Sequence, residues 1–370
     1  MSQRPTGEGK AGRENNFDFL RWLLAVVVIF SHSYPLLWQD NTFEPLMRLT
    51  GGQITAGELA VAGFFILSGF LITKSWLRSA GPANYLWKRV MRIYPGFLAA
   101  VAFCGFVVGP LAVADVGGYW REFSWLHFIL QAFNLHGVAV PPTFLGNPTH
   151  AINGSLWSIR YEFLCYLGVA ALGLLGWLQR PKFVLGAFVV SLLVYSLQVE
   201  LGLKIPGHKL SWFYGYPGFW PRLATCFLSG ALFYLYRERI RYTAAGFAAA
   251  MAGLLVLGAL PALKGLTLAV PLLGSYAFFY LGFLPVKRLQ GFARRGDLSY
   301  GMYLYAFPVQ QLLIQWLGPN LHPLGLFPIA TVVTTILAVL SWTLVEKPFI
   351  KLKGWAWRVP GPAVSAETGA

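Results

Sequence analysis

The chain has 370 residues, of which 56% are hydrophobic and only 12% charged, and this balance excludes a soluble globular protein in favour of a polytopic membrane protein. Its net charge of +15 lies mainly on short turns between apolar segments, so we expect no nucleic-acid partner. The three cysteines fall inside apolar segments without metal-ligand spacing or an even number, so we expect packing residues and no metal site.

Ten apolar segments have about the twenty residues that are needed to cross a bilayer. They are residues 17–38, 57–77, 90–114, 154–178, 183–200, 219–236, 243–260, 266–284, 298–318 and 324–345. A further piece at 122–136 is too polar and too short to cross, so we expect it to lie along the membrane interface. The predicted fold is an all-α polytopic membrane bundle of about ten transmembrane helices.

The distribution of basic residues predicts the orientation of this bundle. With the amino terminus in the cytoplasm, 22 of the 29 lysines and arginines lie on the cytoplasmic side, six lie outside and Arg160 lies within a span. This asymmetry follows the positive-inside rule and makes both termini cytoplasmic. We expect residues 1–16 to form a polar lead, residues 17–349 one transmembrane domain, and residues 350–370 a tail with a disordered end.

Arg21 and His32 stand eleven positions apart in the first apolar segment. Eleven helical residues return to within about 20° of the same face and rise about 16 Å. A cation at the cytoplasmic face therefore lies below a titratable base in one groove, and such groups usually face a bundle interior or a watery cavity. The alternative is that Arg21 snorkels to the interface and His32 only hydrogen-bonds a neighbouring helix.

The second apolar segment contains the sequence GFFILSGF at Gly63–Phe70. Small residues among aromatic ones allow two helix backbones to approach closely in lipid. This motif by itself predicts close helix packing rather than catalysis.

Arg89 and Arg92 are three residues apart at the cytoplasmic start of the third segment, so they share one helix face. Planar guanidinium groups bind phosphate through two parallel hydrogen bonds, and the pair therefore predicts a phosphate site. The alternative is that both belong to the basic loops that anchor the cytoplasmic side.

The fourth segment carries two charges among apolar residues, Arg160 and Glu162. Two positions are about 200° apart on a helix, so these side chains do not pair with each other and each needs another partner. One stripe of this helix is expected to face the bundle interior: Ser155, Ser158, Glu162 and Tyr166.

Glu162 and His32 are expected at similar depths. Glu162 lies roughly 12 Å below the outer surface and His32 roughly 22 Å above the cytoplasmic one, in a core about 30 Å thick. A carboxylate that orients an imidazole creates a general base if packing brings the two helices together. The alternative is that Glu162 pairs with a distant arginine for structural reasons.

Taken in chain order, these features resemble the membrane-bound acyltransferase-3 family, which acylates extracytoplasmic glycans and related molecules. The resemblance runs from Phe17 to Phe349. It rests on the Arg21 and His32 spacing, GFFILSGF, the paired Arg89 and Arg92, SLW followed by Glu162, LSYGMYLYAFP at Leu298–Pro308 and VEKPF at Val345–Phe349.

The resemblance implies an O-acyltransferase of the bacterial inner membrane. It would move an acyl group, normally acetyl from cytoplasmic acetyl-CoA, to a hydroxyl of an extracytoplasmic carbohydrate or lipid-linked glycan. Arg21, Arg89 and Arg92 would bind the coenzyme phosphates, and the pantetheine arm would extend toward His32. His32 would deprotonate the acceptor or carry the acyl group, and Glu162 would hold its orientation. Membrane lipid is the other implied partner, and a separate envelope protein would be needed if this chain does not complete the transfer.

The sequence departs from the family pattern at two places. Ala62 and Gly63 stand where many relatives have an acidic residue, and Ala306 and Phe307 stand where many place a histidine. Any role of those polar groups is absent here or is performed elsewhere. Nearby tyrosines are expected to be helix contacts or interface anchors rather than catalysts: Tyr300, Tyr303 and Tyr305.

Two other classes of protein compete with this interpretation. A transporter or exporter of an acylated or anionic small molecule would also place charge at mid-membrane, but the two halves show no convincing internal repeat. Paired cytoplasmic arginines beneath a buried histidine also suit a long phosphorylated donor better than a transported solute. A scaffold for an envelope assembly complex with decayed chemistry is disfavoured because the candidate site residues are intact: Arg21, His32, Arg89, Arg92 and Glu162. We therefore rank both below the acyltransferase.

Overall fold

The computed structural model describes residues 15–207 and 209–352, apart from the side chains of Arg294 and Arg295. These residues form helices, turns and loops without a β-strand, which confirms the all-α prediction. His208, most of the polar lead predicted for residues 1–16 and most of the tail predicted from residue 350 lie outside the described residues.

One long helix corresponds to each of the ten predicted apolar segments. The helices are α1 Phe17–Trp38, α2 Ala56–Leu77, α3 Pro82–Leu111, α4 Trp157–Leu174, α5 Pro181–Leu201, α6 Trp220–Leu235, α7 Ala244–Ala259, α8 Gly265–Phe283, α9 Ser299–Leu317 and α10 Pro323–Lys351. Six of them, α1, α2, α3, α5, α8 and α10, are long and apolar enough to cross a membrane. The count of ten spans and the cytoplasmic position of both termini remain predictions.

Short helices fill the connections, and one of them matches the predicted interfacial piece. They are Pro45–Leu49, Val116–Glu122, Trp125–Phe133 and Ser211–Tyr214, with 3₁₀ turns at Pro217–Phe219, Pro261–Leu263 and Phe292–Arg295. Trp125–Phe133 buries Phe128 and Ala132 against the bundle and exposes Leu126 and Phe133. An exposed apolar face on a nine-residue helix is the pattern expected at a membrane interface.

Three of the long helices contain a π turn, in which an extra residue shifts the direction of the following side chains. These turns are Cys104–Val108 in α3, Val270–Gly274 in α8 and Trp342–Glu346 in α10. The last one places the Glu346 side chain inside the bundle, where it is 2% exposed. A charged side chain at such a position needs partners, and it finds them in the site described below.

α2 lies at the centre of the bundle, against α1, α4 and α6. Its closest contact is with α6, where Gly69 faces the carbonyl oxygen of Phe227 and Gly230 faces the carbonyl oxygen of Ile66. A Cβ atom at either glycine would collide with the opposing backbone. The small-residue motif therefore produces the close packing that the sequence predicted.

We expect Gly69→Ala to lower the free energy of unfolding by about 1–3 kcal/mol, because the new methyl group forces α2 and α6 apart. Thermal unfolding of the purified protein in detergent measures the change. Gly168→Ala in α4 is the matched control, since nothing lies within 4 Å of a Cβ atom at that position. Equal stability of the two variants would contradict this account of the α2–α6 contact.

Candidate active site

A cavity between α1, α2, α3, α4 and α9, called the central cavity below, has a volume of about 100 Å³. Four of the five predicted site residues line it, whereas His32 does not. Its polar lining consists of Arg21, Ser68, Arg89, Arg92, Ser158, Glu162, Tyr166, Ser299, Tyr300 and Tyr303. Such a concentration of charged and polar side chains inside an apolar bundle indicates a functional site.

Arg21 and Arg92 bind the same carboxylate oxygen. Arg21 Nη1 lies 2.8 Å from Asp297 Oδ2, and Arg92 Nη2 donates to that same atom. Asp297 Oδ1 accepts from the backbone amide of Ser299 at 3.2 Å and from its hydroxyl at 2.5 Å. Burial alone raises the pKa of the Asp297 carboxyl, but the two guanidinium groups outweigh it and hold the pKa well below its usual value. Asp297 thus joins α1, α3 and the start of α9.

Glu346 provides Arg92 with a second carboxylate. Glu346 Oε2 lies 3.9 Å from Arg92 Nη1, and Oε1 accepts from the Ser341 hydroxyl at 3.2 Å. The sequence interpretation named neither Asp297 nor Glu346. A signal was available, because both lie at or beside the motifs LSYGMYLYAFP and VEKPF in a chain with only 14 acidic residues, and a carboxylate beside an apolar segment needs a partner.

Arg89 differs from Arg21 and Arg92 because no carboxylate in the described part of the chain pairs with it. Its Nη2 donates to Ser75 Oγ at 3.3 Å, and its guanidinium carbon lies 5.8 Å from the ring centres of both Tyr85 and Tyr166. Its Nε atom is buried and has no hydrogen-bond partner among the described residues. Arg89 therefore brings a positive charge to the cavity that is free to bind an anion.

Glu162 is held by two hydroxyl groups on the wall of the central cavity. Its Oε1 atom accepts from Ser68 Oγ at 2.9 Å and from Tyr166 OH at 2.6 Å. Glu162 forms no ion pair with any described residue. The structure therefore does not support the alternative in which Glu162 pairs with a distant arginine. Arg160 meanwhile donates to the carbonyls of Asn134 and Trp212, which confirms that Arg160 and Glu162 do not pair.

His32 lies beyond the predicted outer end of the central cavity. Its Nδ1 atom is 3.4 Å from Ser155 Oγ, and its ring meets the Phe307 ring edge-on at 5.6 Å between centroids. In the described chain no hydrogen bond joins it to Glu162. The direct contact between Glu162 and His32 that the sequence analysis made conditional on helix packing is therefore not formed: Ser155, in the turn just before α4, is the polar neighbour of His32.

A hydrogen-bonded tyrosine connects the surroundings of His32 to the cavity. Tyr303 OH donates to the carbonyl oxygen of Ser155 at 2.8 Å and lies 2.6 Å from Ser158 Oγ. Tyr303 and Ser158 both line the central cavity. Tyr303 and Ser155 therefore lie between this cavity and His32. Sequence reasoning treated Tyr303 as a helix contact, because membrane tyrosines are common and the partner hydroxyl lies on a different helix.

The cysteines play the structural part that was expected of them. Cys104, Cys165 and Cys226 are free and buried. Among residues 15–207 and 209–352, no three His, Cys, Asp or Glu side chains are grouped as ligands for a metal ion. The candidate functional side chains are therefore those that line the central cavity, together with His32 and its neighbours Ser155 and Tyr303.

Comparison with known families identifies the class of protein that has this bundle and this site. Residues 14–343 match the acyltransferase-3 family, described as an acyltransferase domain. Because the match covers most of the chain, the protein belongs to this family and is a membrane acyltransferase. The recognition made from the motifs is confirmed, and the family favours transfer chemistry over the transporter alternative.

Two relatives match almost along their whole length. An O-acetyl transferase of Shigella phage Sf6 is 30% identical over 91% of this chain and 96% of the relative. Nodulation protein 10 of Rhizobium leguminosarum bv. viciae is 29% identical over 94% of this chain and 96% of the relative. A shorter match, 25% identical over 40% of this chain, is to acyltransferase MdmB of Streptomyces mycarofaciens. No solved structure is significantly similar to this chain.

We expect Asp297→Asn to lower the free energy of unfolding by about 3–5 kcal/mol, because it leaves two largely buried guanidinium groups without their shared counter-charge and leaves Arg92 with only Glu346 at 3.9 Å. Thermal unfolding in detergent measures this loss. Asp115→Asn is the matched control: it breaks the Asp115–Arg121 ion pair, whose side chains are 70% and 75% exposed, and so changes stability by less than about 1 kcal/mol. Equal effects of the two variants would contradict the role assigned to Asp297.

Proposed function

We propose that this protein is an O-acetyltransferase of the bacterial inner membrane, which moves an acetyl group from cytoplasmic acetyl-CoA to a hydroxyl of an extracytoplasmic carbohydrate or lipid-linked glycan. The observation that supports this most is the meeting of Arg21, Arg89, Arg92 and Glu162 in one cavity, with His32 farther along the same helix as Arg21. The name of the phage relative supports acetyl as the transferred group.

Arg89 is proposed as the main ligand of the coenzyme phosphates. Arg21 and Arg92 share Asp297, and Arg92 also faces Glu346 at 3.9 Å, so both guanidinium groups already have carboxylate partners within the protein. The unpaired guanidinium of Arg89 at the predicted cytoplasmic end gives the site its attraction for an anion. Arg21 and Arg92 then define the cavity wall beside the phosphates and bind them less strongly than Arg89 does.

The pantetheine arm is proposed to lie in the central cavity, between Arg89 and His32. The rise from Arg21 to His32 is about 16 Å, a suitable reach for an extended arm. Ser68, Glu162 and Tyr166 would offer hydrogen-bond partners to its amide groups, and Phe64 and Leu71 would contact its apolar stretch. Glu162 in this proposal binds the donor directly rather than orienting His32.

His32 is proposed as the general base. The acceptor hydroxyl gives its proton to the imidazole while its oxygen attacks the thioester carbonyl carbon, and the carbon–sulfur bond then breaks. The coenzyme thiolate leaves and recovers the proton from the imidazole, so that the products are the acetyl ester and free coenzyme A. Ser155 at Nδ1 would leave Nε2 to face the acceptor.

We expect His32→Ala to reduce transfer of labelled acetyl from coenzyme A into envelope glycan by about 100-fold or more, the usual contribution of a general base. The assay uses membranes that contain equal amounts of native or variant protein. His127→Ala is the control, because His127 lies on the exposed helix Trp125–Phe133 and contacts Gln131. Full transfer by His32→Ala would remove His32 from the chemistry.

We expect Arg89→Gln to raise the KM for acetyl-CoA about 10- to 100-fold, as the loss of hydrogen bonds to a charged group requires, while kcat changes little. Arg89→Lys keeps the charge but not the planar fork and should fall between the native protein and Arg89→Gln. Lys88→Gln, next in the chain but outside the cavity lining, is the control. An unchanged KM in Arg89→Gln would contradict this assignment of the phosphate ligand.

A further inference from the structure

A second cavity, called the outer cavity below, lies at the predicted outer ends of α2, α5, α6 and α8. Its volume is about 480 Å³, which is much larger than that of the central cavity, and the two share no lining residue. Its rim includes the exposed residues Gly51, Gly52 and Lys264, so it opens on the surface. A pocket of this size suits a small organic ligand or part of a larger one.

Among the described residues, the outer cavity contains one ion pair and one cation that bonds only to a backbone carbonyl. Arg222 Nη1 lies 2.8 Å from Glu58 Oε1, and Lys264 Nζ donates to the carbonyl oxygen of Val199 at 3.4 Å. An incoming anion would have to compete with Glu58 for Arg222 and would meet the Glu58 carboxylate, so Lys264 at the exposed rim is the cation that could receive it. The paired charges deeper in the cavity favour an uncharged ligand there.

Two glutamine side chains of the outer cavity are held in fixed directions by backbone groups. Gln53 Nε2 donates to the Leu257 carbonyl at 2.9 Å, and Gln53 Oε1 accepts from the Leu266 amide at 3.1 Å. Gln198 Nε2 donates to the Gly218 carbonyl at 3.2 Å, while its Oε1 atom accepts no hydrogen bond from the described residues. Gln53 is thus bonded within the protein, whereas the Oε1 atom of Gln198 is available to accept a hydrogen bond from a ligand hydroxyl.

An aromatic ring also lines the outer cavity. Phe219 is 38% exposed and packs against Trp157, with 4.7 Å between the ring centroids. A rigid aromatic face beside fixed amides is suited to a sugar ring, which has an apolar C–H face and polar edges. A phospholipid head group would instead use Lys264 at the exposed rim and would leave the ring and the amides without a partner.

We propose that the outer cavity binds sugar residues of the carbohydrate acceptor, a proposal that rests on the function proposed above. The position of the outer cavity agrees with this proposal, because α2 lies between the cavity and α1, the helix that carries His32. Glu58 lines the cavity, and a Cβ atom on the adjacent Gly57 would lie 2.9 Å from Ser31 Oγ, next to His32. Sugars anchored here need to span about 10 Å, the width of one helix, to bring a further hydroxyl to His32.

Cysteine labelling tests the site directly. Gln198→Cys places a thiol in the outer cavity, and the native cysteines are buried, so a membrane-impermeant maleimide applied to intact cells reports on this position. De-O-acetylated oligosaccharides released from the envelope should slow the labelling about tenfold at ten times their Kd. Gln315→Cys is the matched control, because Gln315 is an exposed glutamine at the predicted outer end of α9, bonded to the Leu111 carbonyl.

Three outcomes would overturn the proposal. One is equal labelling with and without oligosaccharide, and another is equal protection at positions 198 and 315. The third is protection by glycerophosphoethanolamine but not by oligosaccharide, which would identify a lipid head group as the ligand. The labelling needs no catalysis, so a failure of acetyl transfer in native membranes would count against the proposed function and leave this result intact.

A kinetic measurement separates acceptor binding from a general structural role. Phe219→Ala should raise the KM for oligosaccharide about 3- to 10-fold, the usual range for a lost aromatic contact, and leave the KM for acetyl-CoA unchanged. An equal rise in the KM values for oligosaccharide and for acetyl-CoA would mean that the outer cavity only supports the fold. An unchanged KM for oligosaccharide would mean that Phe219 is not part of the acceptor site.

Discussion

The arrangement of the site depends on one buried carboxylate, Asp297, which two guanidinium groups share. Arg21 comes from α1 and Arg92 from α3, and without Asp297 their like charges would face each other inside an apolar bundle. The packing around them is adapted to this contact. The Tyr300 ring lies 5.7 Å from the Arg92 guanidinium, and Gly96 leaves room for that ring, since a Cβ atom there would lie 2.8 Å from Tyr300 Cε1.

This shared carboxylate gives different roles to arginines that look alike in the sequence. Arg89 and Arg92 are three residues apart on one helix face, yet Arg92 meets Asp297 and Glu346 while Arg89 meets Ser75 and two tyrosine rings. A guanidinium whose charge is balanced within the protein gains little from a phosphate, whereas an unbalanced one gains a strong partner. The presence or absence of a carboxylate partner inside the bundle, rather than the position of an arginine in the sequence, therefore decides which arginine attracts an anionic donor.

The sequence predicted the helices well, because a helix that crosses about 30 Å of lipid requires a long run of apolar residues, which is visible in the chain. It also predicted that Arg21 and Glu162 face the bundle interior, because each is an ionisable group that lipid would not tolerate. It could not predict their partners: Asp297 lies 276 residues from Arg21, and only the packed bundle brings the two together. Membrane depth estimated by counting residues along each helix was also too coarse. It placed His32 and Glu162 at similar depths, but the side chain beside His32 is that of Ser155.

The partner that His32 does have changes how its chemistry is understood. A carboxylate partner would favour a charged ring, whereas a serine hydroxyl does not require one, and an uncharged imidazole is the form that accepts a proton. Phe307 fixes the ring from a second side, and it stands near the place where the family pattern has a histidine. Among the described residues, a neutral hydroxyl and an aromatic edge thus contact His32 and no carboxylate is hydrogen-bonded to it, so the imidazole is oriented without a charged partner.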